Sequence, residues 1–308
     1  MADRPIGVGI VGLSATGGWA AAAHLPALAA VEGVELRALV TGSPDSARAT
    51  DLREAEELQR AAGDTQTFIG LQGRSSPTFR WLRDLVAQGY VGEVLSATVV
   101  ASSTEWGSPV APRGVYTLDR TLGATMLTIA FGPAIDLVSM VLGEPREVVA
   151  TTATRRRQVP LATTGQLVPM TAEDQIAVSG TLAGGAVLSV HHRGGATSGA
   201  GFSLLIDGTE GRLEITGAEF PHLGPVVVRG AGGHDRLVLP DGYDAYPQLA
   251  GTHVHTLAHA YAAIRDDLIH GTSTAPDFAH AVRRHRLLDA ITRSADTGRR
   301  VTIHETTQ

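Results

Sequence analysis

Apolar residues run unbroken through Ile6–Gly12 (IGVGIVG) and give way to a turn of small residues at Leu13–Gly18 (LSATGG). Such a run, bounded by small residues, reads as a parallel strand covered on both faces. Trp19–Val31 has the composition of a helix, with a kink or break expected at Pro26. Glu35–Thr41 reads as a second strand lying beside the first, and Ser43–Asp45 as a turn or helix cap. Asp51–Ala62 (DLREAEELQRAA) combines high helix propensity with paired charges. Thr67–Leu71 reads as a short strand. Ser76–Gln88 carries Phe79, Leu82, Leu85 and Val86 at helical spacing, and Gly89–Gly92 ends it.

From Glu93 the period changes. Val94–Ser102 is a strand, Ser103–Gly114 a loop rich in Pro, Gly and Ser, and Thr121–Leu142 a long apolar helical region closed by Gly143-Glu144-Pro145. Strand patterns then follow one another at Glu147–Thr154, Asp174–Leu182, Ala186–Arg193, Phe202–Asp207, Gly211–Thr216 and Pro225–Arg229, most separated by Gly-rich turns. Strands at this density predict a mostly antiparallel sheet. His253–Ile269 and Asp277–Asp296 read as helices and Arg299–His304 as a terminal strand. The predicted fold is α/β. An abbreviated Rossmann-like parallel-sheet domain (1–91) precedes an α+β domain with an open, mostly antiparallel sheet (92–308), with room for the C-terminal helix and strand to pack back on the first.

Composition narrows the class. The 308 residues suffice for two cores, and 43% hydrophobic with 18% charged residues fits a globular chain. A net charge of −6 argues against a general nucleic-acid binder. There is no cysteine, which excludes disulfides and thiol catalysis. MADRPIGVGI lacks the form of a secretory signal, and no apolar run reaches the ~18 residues of a membrane span. A cytoplasmic location without membrane attachment is expected.

A literal G-x-G-x-x-G stands at Gly7, Gly9 and Gly12, but Gly7 and Gly9 lie inside the strand. The motif cradles a pyrophosphate only where the strand ends and a helix N-terminus begins. The better register is Gly12-Leu13-Ser14-Ala15-Thr16-Gly17, with Ser14 replacing the second glycine. Its hydroxyl could itself bond a phosphate oxygen. Either Gly12, Leu13, Ser14, Thr16 and Gly17 hold a dinucleotide, or the segment is a tight turn without a ligand. NAD sites usually place an acid at the end of the second strand. Here Val40-Thr41-Gly42-Ser43 offers none, whereas Thr41, Ser43 and nearby Arg48 could face a 2′-phosphate. NADP is favoured over NAD unless Arg48 is an ordinary solvated residue.

These residues, with later ones, resemble the glucose–fructose oxidoreductase, inositol dehydrogenase and rhizopine-catabolism (Gfo/Idh/MocA) family over most of the chain. Within it they are most similar to the galactose co-repressor-like branch. GLSATGGWAAAAHLPAL (Gly12–Leu28) resembles the branch's opening and LQGRSSP (Leu71–Pro77) the marker closing its nucleotide domain. GATMLTIAFGPAIDLVSMVLGE (Gly123–Glu144) resembles the helix bordering the active site, and PDFAHAVRRHRLLDAITRSADTGRRV (Pro276–Val301) the closing helix and strand. The resemblance implies a Rossmann domain, a second domain whose open sheet mediates oligomers, and hydride transfer between a nicotinamide and a sugar or cyclitol carbon. The family's chemistry uses a Lys in an E-K-P segment, plus an Asp and a His on the bordering helix.

This chain departs at each of those positions. Nothing between Thr50 and Asp51 corresponds to E-K-P, a shortfall of roughly 50 residues, or about two strand–helix units. No lysine stands in any motif. The Asp position falls on Ile129 and the His position on Pro133, and neither side chain can move a proton. Losing the units that flank Thr67–Leu71 would leave backbone groups unpaired unless the sheet closes differently.

Other candidates keep two readings. Arg74 faces the nicotinamide half of the cofactor or the substrate, or forms a structural ion pair. Tyr116 and Asp119, with Trp106, follow or lie in the loop that lines the family's cleft. Tyr116 is the best remaining hydroxyl for acid–base work, or an exposed loop tyrosine. Asp136 could cap or pair inside its helix. His191 and His192 alternate across one strand, one facing in and one out. His255 and His259 have the i,i+4 spacing of metal ligands, but no third ligand is evident beside them, so no metal is expected. Arg155–Arg157 reads as a solvated strand end. Two functions follow. One is an NAD(P)-dependent oxidoreductase acting on a sugar-like alcohol or carbonyl, with Tyr116 and Asp119 at the substrate. The other is a non-catalytic regulator or interaction protein, with or without a dinucleotide. An exposed sheet face predicts at least a homodimer.

Overall fold

The computed structural model describes residues 5–11, 20–40, 51–196, 201–221, 223–230 and 235–304. Strands β1 (Ile6–Val11) and β2 (Val34–Val40) pair in parallel, joined by a π turn (Ala20–His24) and helix α1 (Leu25–Ala30). Pro26 stands in the first turn of α1. It has no N–H for the carbonyl four residues back, and the preceding turn is accordingly wide. Pro133 stands in the same place after a second π turn, Leu127–Phe131. The cofactor-turn residues Gly12–Gly17, together with Thr41, Ser43 and Arg48, lie outside the described residues.

Helix α2 (Leu52–Ala62) starts on a complete capping box. The Asp51 carboxylate accepts from the Glu54 N–H at 2.9 Å, and the Glu54 carboxylate accepts from the Asp51 N–H at 3.1 Å. Thr67–Leu71 is not a strand. Among the described residues it has no sheet neighbour, and Ile69 N–H instead donates to Pro276 C=O at 2.8 Å. The small sheet thus holds two strands among the described residues, and the chain passes from 67–71 into a 3-10 turn, Gln72–Ser75.

The remaining core is one nine-stranded sheet. Its strands are β3 (Val94–Ser102), β4 (Pro145–Ala153), β7 (Gln175–Leu182), β8 (Val187–Arg193), β9 (Gly201–Gly208), β10 (Arg212–Gly217), β11 (Val226–Gly230), β12 (Asp235–Leu237) and β13 (Val301–Thr302). Their order is β12-β11-β10-β9-β3-β8-β7-β4-β13, and only β3–β8 is parallel. A separate hairpin, β5 (Gln158–Pro160) with β6 (Leu167–Pro169), and the edge strand β12 were not foreseen.

Burial alternates strictly along β8 and nearly so along β9. The inward side chains, Leu188, Val190, Leu204 and Ile206 among them, meet Phe79 and Leu82 of α3 (Pro77–Ala87), Leu137 and Val138 of α4 (Gly132–Leu142) and Leu287 and Ile291 of α6 (Phe278–Thr297). The other face is open, with Val100, Val149 and Val187 exposed. Helix α5 (Val254–His270) packs on α1 through Ala23, Ala27 and Leu257. Helix α6 lies on both β4 and α2, so the C-terminal helix bridges early and late parts of the chain. Among the described residues no helix is long and apolar enough to cross a membrane.

Candidate active-site cavity

A cavity of about 700 Å³ opens where four distant segments meet. Gly70–Gly73 form one side and the loop Thr104–Leu118 a second. The π turn and the start of α4 supply a third through Ile129, Ala130 and Pro133, and Phe220 and Leu223 close the fourth. The loop is seated backbone to backbone on the end of β8. Gly195 takes φ +60°, and a Cβ on it would stand 2.7 Å from the Gly107 Cα. Trp106 adopts φ 56° without being glycine, and its indole N–H donates to Thr117 C=O at 3.1 Å.

Ile129 and Pro133, the positions where the resemblance places Asp and His, both line this cavity. The sequence moreover contains no lysine, since its 25 basic residues are all arginine. The carboxylate that α4 does bring to the cavity wall, Asp136, is held from behind through one of its oxygens. Its Oδ1 accepts from Arg74 Nη1 at 2.9 Å and from His280 Nε2 at 2.8 Å. Arg284 Nε stands 3.4 Å away, an ion-pair distance without hydrogen-bond alignment. Arg283 Nη2 donates to His280 Nδ1 at 3.0 Å, so the proton His280 gives to Asp136 is on Nε2. The 3.1 Å approach of Arg74 Nη1 to that same nitrogen is then a contact between two donors, both aimed at Asp136.

Burial by itself would raise the Asp136 pKa. The His280 hydrogen bond and the Arg74 and Arg284 charges outweigh it and hold the carboxyl below its usual range. Burial lowers Arg284 to about 10, against the pull of Asp136. Arg284 also pairs with Glu144 and donates to Ser139 Oγ at 3.1 Å. Arg74 thus makes a part-buried ion pair with Asp136 and is not among the residues lining the cavity.

The other expected residues separate. Tyr116 lines the cavity and is partly exposed. Asp119 does not line it. Its Oδ1 accepts from Thr121 N at 2.9 Å and Thr121 Oγ1 at 2.8 Å, bonds that cap the turn Arg120–Leu122 and hold its pKa down. His191 is exposed and His192 buried, as alternation along β8 requires. The His192 ring lies 5.1 Å from the Phe220 ring and 6.3 Å from that of Phe131, centre to centre. Neither of its nitrogens has a hydrogen-bond partner among the described residues. Burial, and secondarily the charge of His191, lowers its pKa to about 4. His280 and Arg284 were not singled out from the sequence; a polar i,i+4 pair at the start of an otherwise apolar helix face was the available signal.

Residues 77–217 match the family described as Gal80p, C-terminal domain. The galactose/lactose metabolism regulatory protein of Saccharomyces cerevisiae, Gal80, is 30% identical over 224 residues, or 65% of this chain and 51% of its own. The chain thus spans about half the length of that relative. Two solved structures share the fold. A super-repressor mutant of Gal80p from S. cerevisiae has a TM-score of 0.83 at 21% identity, covering 97% of this chain and 98% of that one. Levoglucosan dehydrogenase in complex with NADH and L-sorbose has a TM-score of 0.71 at 20% identity, covering 97% and 80%.

Proposed function

We propose that the chain is a non-catalytic, ligand-responsive member of the Gfo/Idh/MocA family, on its Gal80-like branch, a reading supported by its match to the Gal80p C-terminal domain and its likeness to Gal80. In this reading it binds a nicotinamide dinucleotide, with a sugar-like molecule as the second candidate ligand, and communicates occupancy to a protein partner. One observation carries the proposal. The cavity wall presents Ile129 and Pro133 where the family's oxidoreductases keep their proton-handling pair, and the adjacent Asp136 is held ionised by Arg74, His280 and Arg284. A general base works best with a pKa near the working pH, and these partners hold the Asp136 carboxyl below its usual range, which makes it a poor one. The absence of lysine removes the third catalytic member as well.

The cavity fits a flat ring. Trp106, Tyr116, Phe220 and Ile129 give it apolar walls, and Gln72 and Thr117 supply polar groups at its edge. The parallel strands β1 and β2 provide the strand ends at which this class of sheet receives dinucleotides, and Gly12–Gly17 is the turn that would hold the pyrophosphate. Ser43 and Arg48 direct the proposal to NADP over NAD. The open face of the large sheet is proposed as the homodimer surface.

A second reading, an oxidoreductase, is favoured by the Tyr116 hydroxyl in the cavity, with Asp119 nearby in sequence. Calorimetric titration with NADPH and NADH, paired with a nicotinamide-absorbance assay over sugars and cyclitols, separates the two. Saturable micromolar binding without turnover is expected. Turnover lost in Tyr116→Phe would establish the enzyme instead, and no binding of either dinucleotide to folded protein would end both cofactor readings.

A further inference from the structure

The sequence offers no third ligand beside His255 and His259, and the fold supplies one. The segment between β12 and α5 carries Asp244 against the first turns of α5. There the Asp244 Oδ1 lies 2.9 Å from His255 Nε2 and 3.0 Å from His259 Nε2. We propose that Asp244, His255 and His259 form a binding site for one divalent transition-metal ion of the zinc class.

The ligand atoms of all three lie within 4.8 Å of one another. A tetrahedral ion with bonds of about 2.0–2.1 Å needs ligand atoms roughly 3.3 Å apart. The two N···O separations therefore need to open by only a few tenths of an ångström. Three donors already converge on one oxygen, because Tyr246 N–H also reaches Oδ1 at 3.0 Å. That exceeds the two lone pairs of a carboxylate oxygen, so the two imidazoles are aimed at a shared point and lack separate acceptors. A metal ion seated between Oδ1 and the two Nε2 atoms would take a lone pair from each nitrogen, with each ring's proton on Nδ1.

The scaffold is held in place. Tyr243 Oη donates to Asp84 Oδ2 on α3 at 2.9 Å, and the Tyr246 ring packs edge-on against His259 at 5.1 Å. His259 is nearly buried, while Asp244 and His255 keep a little exposure, which leaves solvent access for the remaining coordination positions. Two imidazoles with one carboxylate suit zinc, cobalt, nickel or copper, whereas calcium and magnesium prefer oxygen throughout. Arg80 on α3 is the nearby charge that opposes a cation. None of the three ligands lines the large cavity, so the site stands independently of the cavity's function. Because α5 also packs on α1 and on the turn Gln72–Ser75, the ion would clamp the segment before α5 to the element that carries the small sheet.

The test uses the untagged full chain, dialysed against chelator, with zinc calorimetry and cobalt(II) absorption as readouts. One zinc per chain and a tetrahedral cobalt spectrum are expected. Asp244→Asn and His255→Gln should each weaken zinc binding at least about tenfold, with unchanged circular dichroism. His270→Gln, an exposed histidine at the end of α5, should not. No saturable binding by the wild type, or binding that survives both ligand variants, overturns the proposal.

Discussion

His192 couples the wall of the cavity to pH. Its ring is buried between Phe131 and Phe220, and burial lowers its pKa from 6.5 to about 4. A base whose folded value is depressed binds fewer protons folded than unfolded across that interval. Stability is therefore complete above about pH 6.5 and falls as pH drops towards 4. A gap of about 2.5 units at 1.36 kcal/mol each corresponds to ~3 kcal/mol in full and ~2 kcal/mol already lost at pH 5. His192→Leu replaces the ring with an apolar group of similar bulk. It removes two unpartnered polar atoms, so near pH 7.5 the variant should be as stable as the wild type or more so. Between pH 7.5 and pH 5 its advantage should grow by ~2 kcal/mol. Urea unfolding followed by the buried Trp81 and Trp106 measures this. His24, His259 and His285 are also lowered by burial, but they are common to both proteins and cancel in the difference. Parallel stability–pH curves for variant and wild type would refute the buried neutral histidine.

Three further outcomes are expected. Asp136→Asn removes the charge shared by Arg74, His280 and Arg284 and should cost about 3–5 kcal/mol at neutral pH by urea unfolding. Because the folded pKa of Asp136 is depressed, its contribution is present above the ordinary carboxylate value and is lost only as pH falls through the lowered one. The wild type should therefore show a steeper acid limb than the variant, whose other carboxylates are unchanged. Asp51→Ala breaks the capping box of α2 and should cost about 1 kcal/mol, whereas Asp51→Asn should cost far less; unfolding midpoints compare them. Val187→Glu places a charge on the open sheet face and should convert a dimer to monomers in light scattering, and a monomeric wild type would show that this face has another use.

What was legible in the sequence divides along a physical line. β3 was placed to the residue, and β7, β8 and β9 nearly so, because each carries its own alternation and the buried partner strands are present. Thr67–Leu71 carries an equally apolar pattern and is not a strand, because a strand exists only with a neighbour and none stands beside it among the described residues. β5 and β6 had no counterpart in the sequence reading; each ends on a proline, Pro160 and Pro169, which an isolated hairpin tolerates at its edges.

The site divides in the same way. The resemblance places an Asp and a His at Ile129 and Pro133, on a single helix, so the mismatch at both positions was visible before any fold. Convergence was not. Arg74 and Asp136 were noticed separately, 62 residues apart, and His280 lies 144 residues beyond Asp136. Asp244 sits in irregular chain 11 residues before His255, where no period announces it. Local sequence thus reports what a helix or strand has lost. What distant segments bring together, Arg74, His280 and Arg284 around Asp136 and Asp244 beside a histidine pair, depends on how the whole chain folds.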